Sequence, residues 1–462
     1  MTFAGEASAA LSDVIVRLHD ALGDRVDTSV DALAAARADK SGHFAGGTPL
    51  AVVRARSIAD VQTTLRIASE TRTPVVPRGA GTGLAGGANT GAGEISLSLL
   101  EMNRILEVRP DDLLAVVEPG IINSDLNDAL APHGLWWAPD PASRAISTVG
   151  GNIATGAGGL LCAKYGVVRD AVLALDVVLA DGRLLHLGHR SVKGVTGLDL
   201  TSLFIGAEGV LGVVVGATLK LRRRVPGQVY TLSAVFPDVR TAAAGSAAVT
   251  AAGLQPSVME LMDAASLDAV HRLLRLPPPA GGAQLTVQTD GAASADEARA
   301  IADVLRVTGG AVQVSHDTEE GDRLLEVRRA MHAAMQSLGT TLIEDVSVPR
   351  SRLAEMFDEI ARIEREHGVV IPTVAHAGDG NLHPNFIFDG PDVPPGIWDA
   401  ADDLFRAALR LGGTLTGEHG IGTLKRRWLA AELGDDQWEL QRRIKAVFDP
   451  QGILNPGKVF AE

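Results

Sequence analysis

The chain has 462 residues, a formal charge of −14, 46% hydrophobic residues and a single cysteine. This length accommodates two or three domains with cores of their own. One cysteine, Cys162, excludes an intramolecular disulfide framework and a cysteine-built zinc site, and suits a reducing cytoplasm. The negative balance offers no field to recruit phosphates, so a nucleic-acid partner is excluded; Arg222-Arg223-Arg224 is too short a basic run to change that.

In chain order, the acidic, amphipathic opening stretch lacks a basic segment ahead of an apolar one, so no signal peptide is expected. No run of 18 apolar residues occurs (171–180 is interrupted by Asp176), so no membrane span is expected. Apolar spacing predicts a helix over 10–37, a strand at 48–55, a helix opened by Ser57, and a short buried strand at 73–79. A glycine-dense tract, "GAGTGLAGGANTGAGE", follows at 79–94, then strands at 94–99 and 113–120 and a helix over 123–133. A second glycine tract spans 147–166, and 167–188 reads as a hairpin joined at Ala180-Asp181-Gly182. Cys162 sits among Leu160, Leu161 and Ala163 and is expected to be a buried apolar thiol.

Beyond Pro226 strand and helix patterns alternate, with one helix predicted over 318–337 that puts Arg328 and His332 one turn apart on one face. Such alternation fits a doubly wound parallel sheet or an antiparallel sheet under helices; partial period-2 alternation at 340–348 and 383–388 favours the antiparallel form. The last sixty residues read as mostly helical. The expected domains are 1–224, 225–412 and a C-terminal segment, 413–462.

Three motifs carry chemistry. Gly81-Thr82-Gly83-Leu84-Ala85-Gly86 is a literal GxGxxG, but it runs on into further glycines and opens no helix, which denies the dinucleotide reading. Its backbone N–H groups still suit a diphosphate held in a nest. In "HAGDGNLHPN" (376–385), Asp379-Gly380 is a strong two-residue turn that would set His376 opposite His383, with Cβ atoms about 5 Å apart, right for two imidazoles on one metal. Two histidines leave such a site incomplete, and Glu418 of "TGEHGIG" is the natural third ligand. His419 beside it could then face a substrate as a base. This donor set suits Zn²⁺, with Mn²⁺ and Fe²⁺ open.

Together "PRGAGTGLAGGA", "DPASRAISTVGGNIATGAGG", "KYGVVRD", "HAGDGNLHPN", "GEHGIGTLK" and "DPQGILNPGK" resemble the FAD-linked D-2-hydroxyacid dehydrogenases (D-lactate dehydrogenase, the glycolate oxidase flavin subunit, D-2-hydroxyglutarate dehydrogenase) over roughly 45–460. These belong to the vanillyl-alcohol-oxidase/p-cresol-methylhydroxylase flavoproteins. The resemblance implies an α+β architecture: a two-part FAD-binding domain, an antiparallel-sheet cap domain and a helical C-terminal segment returning to the flavin. It implies that Pro77, Arg78, Gly79, Ala80, Gly81, Thr82, Gly83 and Leu84 cradle the cofactor. Asp140, Ser143, Thr148, Gly151, Asn152, Ala154 and Gly158 would line a second stretch, with Glu208, Gly212 and Val213 near the adenine and Asn455 contributing from the C-terminus. Relatives with covalent flavin carry a histidine about where Thr82 stands, so FAD is expected to be non-covalent.

The resemblance also makes Arg328 the clamp for a substrate carboxylate, with His332, Asn385 and Lys425 as further substrate contacts. The reaction expected is oxidation of a small D-2-hydroxyacid to the 2-oxoacid: a metal holding and acidifying the hydroxyl, His419 taking its proton, and the α-hydrogen passing as hydride to flavin. Ile343 falls where relatives acting on 2-hydroxyglutarate carry a lysine, which favours D-lactate or glycolate over the dicarboxylate. A flavin subunit without its own substrate site would lack the histidine motif. An alkyl-glycerone-phosphate synthase would need room for a long acyl chain, and with 4% aromatics no apolar insertion is visible. The expected setting is cytoplasmic, peripheral to a membrane if the acceptor is there. The acceptor (quinone, cytochrome or electron-transfer flavoprotein) and a homodimer are left open.

Overall fold

The computed structural model describes residues 3–390 and 392–460. The chain divides into two units. The first gathers 1–158, 166–224 and 418–462; the second holds 225–417 together with the short excursion 159–165. The segment expected to begin at 413 therefore starts at Glu418 and is part of the first unit rather than a body of its own.

In the first unit, strands Ala51–Arg54 and Val75–Arg78 flank Ile95–Ser98, both parallel to it, and Val26–Asp27 adds an antiparallel edge. The central strand Ile95–Ser98 is buried throughout, and Ala51–Val53 and Val75–Val76 beside it are buried and apolar, as parallel strands covered on both faces require. Helix Ile58–Thr71 forms because Ser57 caps the N–H of Asp60 and the stripe Val61, Leu65 and Ala68 enters the core. The C-terminal segment joins this sheet: Val75 donates to Ile453 O at 2.8 Å and Asn455 donates to Val75 O at 2.8 Å. A second, five-stranded antiparallel sheet includes the predicted hairpin, Val172–Val178 with Leu184–Gly188. The helix predicted over 10–37 is instead two, Phe3–Leu22 and Val30–Ala36. Gly23, at φ +60, breaks the first, and Ser29 caps the second through the Ala32 N–H.

The second unit is built on an all-antiparallel sheet ordered Ala311–Val314, Tyr230–Phe236, Ala283–Thr289, Val258–Asp263, Thr373–His376, Asn381–Phe388, Thr340–Ile343, with Val346–Ser347 also on Asn381–Phe388. The antiparallel alternative is thus the observed one. Helices Val239–Ala251 and Ser294–Val307 pack on it, and Leu353–His367 packs in turn on Val239–Ala251, their apolar faces set by 3.6-residue spacing. Half-buried Asp263 fastens two elements, capping the Ser266 N–H at 2.8 Å and accepting the Thr373 N–H at 2.8 Å. The excursion 159–165 is pinned to this unit by Asp290, which accepts from Lys164 Nζ and Tyr165 Oη, each at 2.6 Å. Cys162 opens the short helix there and is partly exposed, not the buried thiol expected.

Among the described residues, no helix is long and apolar enough to cross a membrane.

Candidate active site

His376 ends one strand of a hairpin and His383 lies in the next, both buried. The turn is longer than expected: it occupies 377–380, where Asp379 and Gly380 both donate to His376 O (3.1 and 2.9 Å) and Asp379 Oδ1 accepts the Asn381 N–H. The register follows, with His376 opposite Asn381 and His383 opposite Val374. The predicted direct pairing of the two histidines is therefore wrong by two residues. A shift of two preserves the face, so the histidines form a diagonal pair, and their rings meet edge to face with centroids 5.0 Å apart. Gly380 is required there: at φ +89, an added Cβ would stand 2.1 Å from Val348 O.

Strand Val258–Asp263 runs beside the first histidine strand and sets Glu260 opposite His376. Glu260 is 1% exposed; it accepts from His376 Nδ1 at 2.7 Å and from Arg328 Nε at 2.7 Å. Burial alone would raise its pKa, but the charges of His376 and Arg328 outweigh burial and hold it below the ordinary value. Glu260 is not evident from sequence, because one glutamate in "SVMELM" has no spacing signal; only strand pairing reveals it. Asp345, also unforeseen, is fully buried, accepts from Asn381 Nδ2 at 2.6 Å, and lies 4.0 Å from His383 Nδ1. Asn385 spends its amide on Pro372 O (3.1 Å) and His383 O (2.8 Å), bracing the strand.

The helix predicted over 318–337 is two, Thr318–Arg329 and Met331–Leu338, separated at Ala330. The face expected to be shared by Arg328 and His332 does not exist. Arg328 is mostly buried against Glu260, whereas His332 is exposed and contacts Gln336 at 3.1 Å.

Glu418 and His419 follow Gly417 directly. Gly417 is held in the second unit, because Thr414 and Ser347 exchange backbone hydrogen bonds and Thr416 Oγ1 donates to Asp345. One ligand atom each from His376, His383 and Glu418 lies within 4.8 Å of the others. The Glu418 carboxylate occupies the space a side chain at Gly158 would take: an added Cβ would be 2.4 Å from Oε2. His419 Nε2 is 3.9 Å from Glu418 Oε1. Glu208, at φ +49, fastens the far end of this loop, accepting the N–H of Ile421 at 2.7 Å and of Gly422 at 2.9 Å. Burial pushes its pKa up to about 7 despite those two donors and the charge of Lys425. Lys425 is itself buried, just ahead of helix Arg426–Phe448.

The first glycine tract has an asymmetry that suits an anion. Several of its carbonyls are taken: Gly83 O by Lys40 N–H, Ala85 O by Thr423 N–H, Gly87 O by Asn455 Nδ2 and Ala88 O by Arg78 Nη1. From Ala80 to Ala88, however, no backbone N–H finds an acceptor among the described residues. A part-buried row of unclaimed amides fits a diphosphate. Arg78 is a brace, also donating to Ala38 O at 2.8 Å. The second tract, read as glycine-rich chain, contains helix Val149–Thr155, capped by Thr148 Oγ1 on the Gly151 N–H at 3.1 Å. The two tracts meet where a Cβ on Gly79 would be 2.4 Å from Thr148 Oγ1, so only a backbone edge fits.

Ala154 O accepts the Glu208 N–H at 2.8 Å, and Asn455 Nδ2 reaches Glu208 O at 2.7 Å, so these three expected residues converge. Asn152 is buried against Asn123 (3.0 Å) and Ser147 (3.1 Å). Asp140 is buried 3.9 Å from Arg144, and Ser143 O accepts the N–H groups of Ile146 and Ser147. Gly212 and Val213 lie in the sheet core, Gly212 tight against Val177 and Phe204.

Residues 49–188 match the FAD binding domain family, and 225–459 match the C-terminal domain of FAD linked oxidases. Glycolate oxidase subunit GlcD of Bacillus subtilis is 39% identical over 421 residues, covering 90% of this chain and 89% of that protein. A D-lactate dehydrogenase of Archaeoglobus fulgidus is 35% identical, covering 88% and 90%. Among solved structures, p-cresol methylhydroxylase aligns with a TM-score of 0.82 at 17% identity over 98% of this chain and 97% of that one. An alkyldihydroxyacetonephosphate synthase aligns at 0.74 and 19% identity, over 96% and 85%; both show the fold alone. The chain belongs to the FAD-linked oxidases and is an FAD-binding oxidoreductase of the p-cresol methylhydroxylase fold.

Proposed function

We propose that the chain oxidises a small D-2-hydroxyacid, D-lactate or glycolate in preference to a dicarboxylate, to the 2-oxoacid. The observation that carries this reading is the grouping of His376, His383 and Glu418, with ligand atoms within 4.8 Å of one another. Metal bonds of about 2.1 Å put two ligands at most about 4.2 Å apart, so the three donors need only a small closure. They would hold Zn²⁺, or Mn²⁺ or Fe²⁺, whose Lewis acidity would favour the ionised hydroxyl. FAD, held without a covalent bond because residue 82 is threonine, supplies the acceptor for the α-hydrogen and its electron pair.

The remaining roles fall to this chain's side chains. Arg328 binds the substrate carboxylate: its Nε is engaged by Glu260, while Nη1 and Nη2 carry no partner among the described residues and match a carboxylate's two oxygens. His419 takes the hydroxyl proton on a ring nitrogen. Ile343 offers no charge to a distal carboxylate, which would otherwise be desolvated unpaired. The names of the two relatives support this substrate class.

Anaerobic mixing with D-lactate, glycolate and D-2-hydroxyglutarate tests the reading, before and after chelation. Flavin bleaching should be faster with the monocarboxylates and lost on metal removal. Preference for the dicarboxylate would refute the Ile343 argument, and undiminished bleaching of metal-free protein would refute the metal.

A further inference from the structure

Glu260 is the one carboxylate on strand Val258–Asp263 directed at both arms of the site, with one oxygen on His376 Nδ1 and the other on Arg328 Nε, each at 2.7 Å. We propose that Glu260 is a positioning residue that couples the metal-binding arm to the carboxylate-binding arm. It fixes His376 in the tautomer whose Nε2 is the ligand nitrogen, and it orients Arg328 so that the Nη edge is presented to substrate. This rests on the reading of His376 as a ligand and Arg328 as a clamp.

The physical argument has two halves. An imidazole that donates from Nδ1 to a carboxylate keeps its lone pair on Nε2, and the carboxylate raises the basicity of that nitrogen. A guanidinium engaged through Nε loses its rotational freedom while keeping two parallel N–H donors, the geometry that matches a carboxylate bidentately. Because one buried carboxylate serves both, a change at Glu260 must be felt at both arms, although neither half requires Glu260 to touch substrate or metal.

The test uses the full chain loaded with FAD and stripped of metal. Zn²⁺ affinity is read by calorimetry, and affinity for pyruvate, as a 2-oxoacid probe, by flavin difference absorbance. Glu260→Gln should weaken Zn²⁺ by about 10–100-fold and weaken pyruvate alongside it, with flavin content unchanged. Glu260→Asp, which keeps the charge but falls one methylene short, should show smaller losses at both arms and covers the case in which Glu260→Gln fails to fold. Combined with Arg328→Lys, Glu260→Gln should add little further loss for pyruvate, since both changes break one interaction. A folded variant with wild-type affinity at either arm overturns the coupling while leaving the metal reading intact. Wild-type protein that binds no Zn²⁺ overturns the metal reading, and the coupling with it.

Discussion

A methyl group at position 158 would stand 2.4 Å from Glu418 Oε2 and 3.0 Å from Glu418 Cβ. The carboxylate tip could swing aside, but the Cβ cannot, so Gly158→Ala must displace the whole Glu418 side chain. If Glu418 is a ligand, a misplacement near 1 Å should lower kcat by about 100-fold and weaken Zn²⁺, with flavin still bound through the separate run of amides at 80–88. Steady-state kinetics and metal content of the purified variant check this; unchanged turnover would mean that Glu418 holds nothing that matters to the chemistry. By resemblance Gly158 belongs with the cofactor-lining residues. Its closeness to Glu418 was not legible, because 260 positions separate them and a glycine's neighbour leaves no trace in its own local pattern.

At the scale of elements, the hairpin 373–388 shows what local pattern can and cannot convey. Two strands, an intervening Asp-Gly and a histidine in each arm were all legible. The register was not, because a two-residue Asp-Gly turn and the observed four-residue turn share the same residues; which forms is decided by Gly380 closing against Val348. The error was harmless for the site only because it was even, leaving both histidines on one face. The same limit explains Arg328 and His332: apolar spacing runs unbroken through 318–337, yet the chain breaks at Ala330, where Met331 and Met335 turn into a cluster with Leu267 and Val270. Tertiary packing overrode local propensity there. Gly380→Ala tests the turn. A residue at φ +89 with its Cβ 2.1 Å from a backbone oxygen should cost at least about 2 kcal/mol, and roughly 4 °C or more in the melting of this unit. A melting temperature within a degree of wild type would show that the turn is not braced as described.

For the molecule as a whole, the first unit is assembled from three separated stretches of chain, and Glu208 is where they are tied. Its backbone joins Ala154 and Asn455, and its carboxylate joins Ile421 and Gly422. That tie carries a pH dependence whose sign follows from the direction of its shift. In the unfolded chain Glu208 titrates near 4.5, and in the folded unit near 7, because burial opposes the charged form more than the two N–H donors and Lys425 favour it, with Asp39 adding repulsion. Between those values the folded state binds the extra proton. The stabilisation is therefore complete below about 4.5 and is lost as pH rises through about 7, amounting to about 3 kcal/mol. Flavin release on heating reports this unit selectively. Its midpoint should fall more between pH 6 and 8 in the wild type than in Glu208→Gln, in which the ionisable group is gone. Glu208→Gln should also melt lower than wild type at pH 6, where the acid is mostly neutral, because its hydroxyl oxygen can still accept one of the Ile421 and Gly422 N–H groups and an amide nitrogen cannot. Parallel pH profiles for the two proteins would place the ionisation elsewhere and remove Glu208 as the group that senses pH.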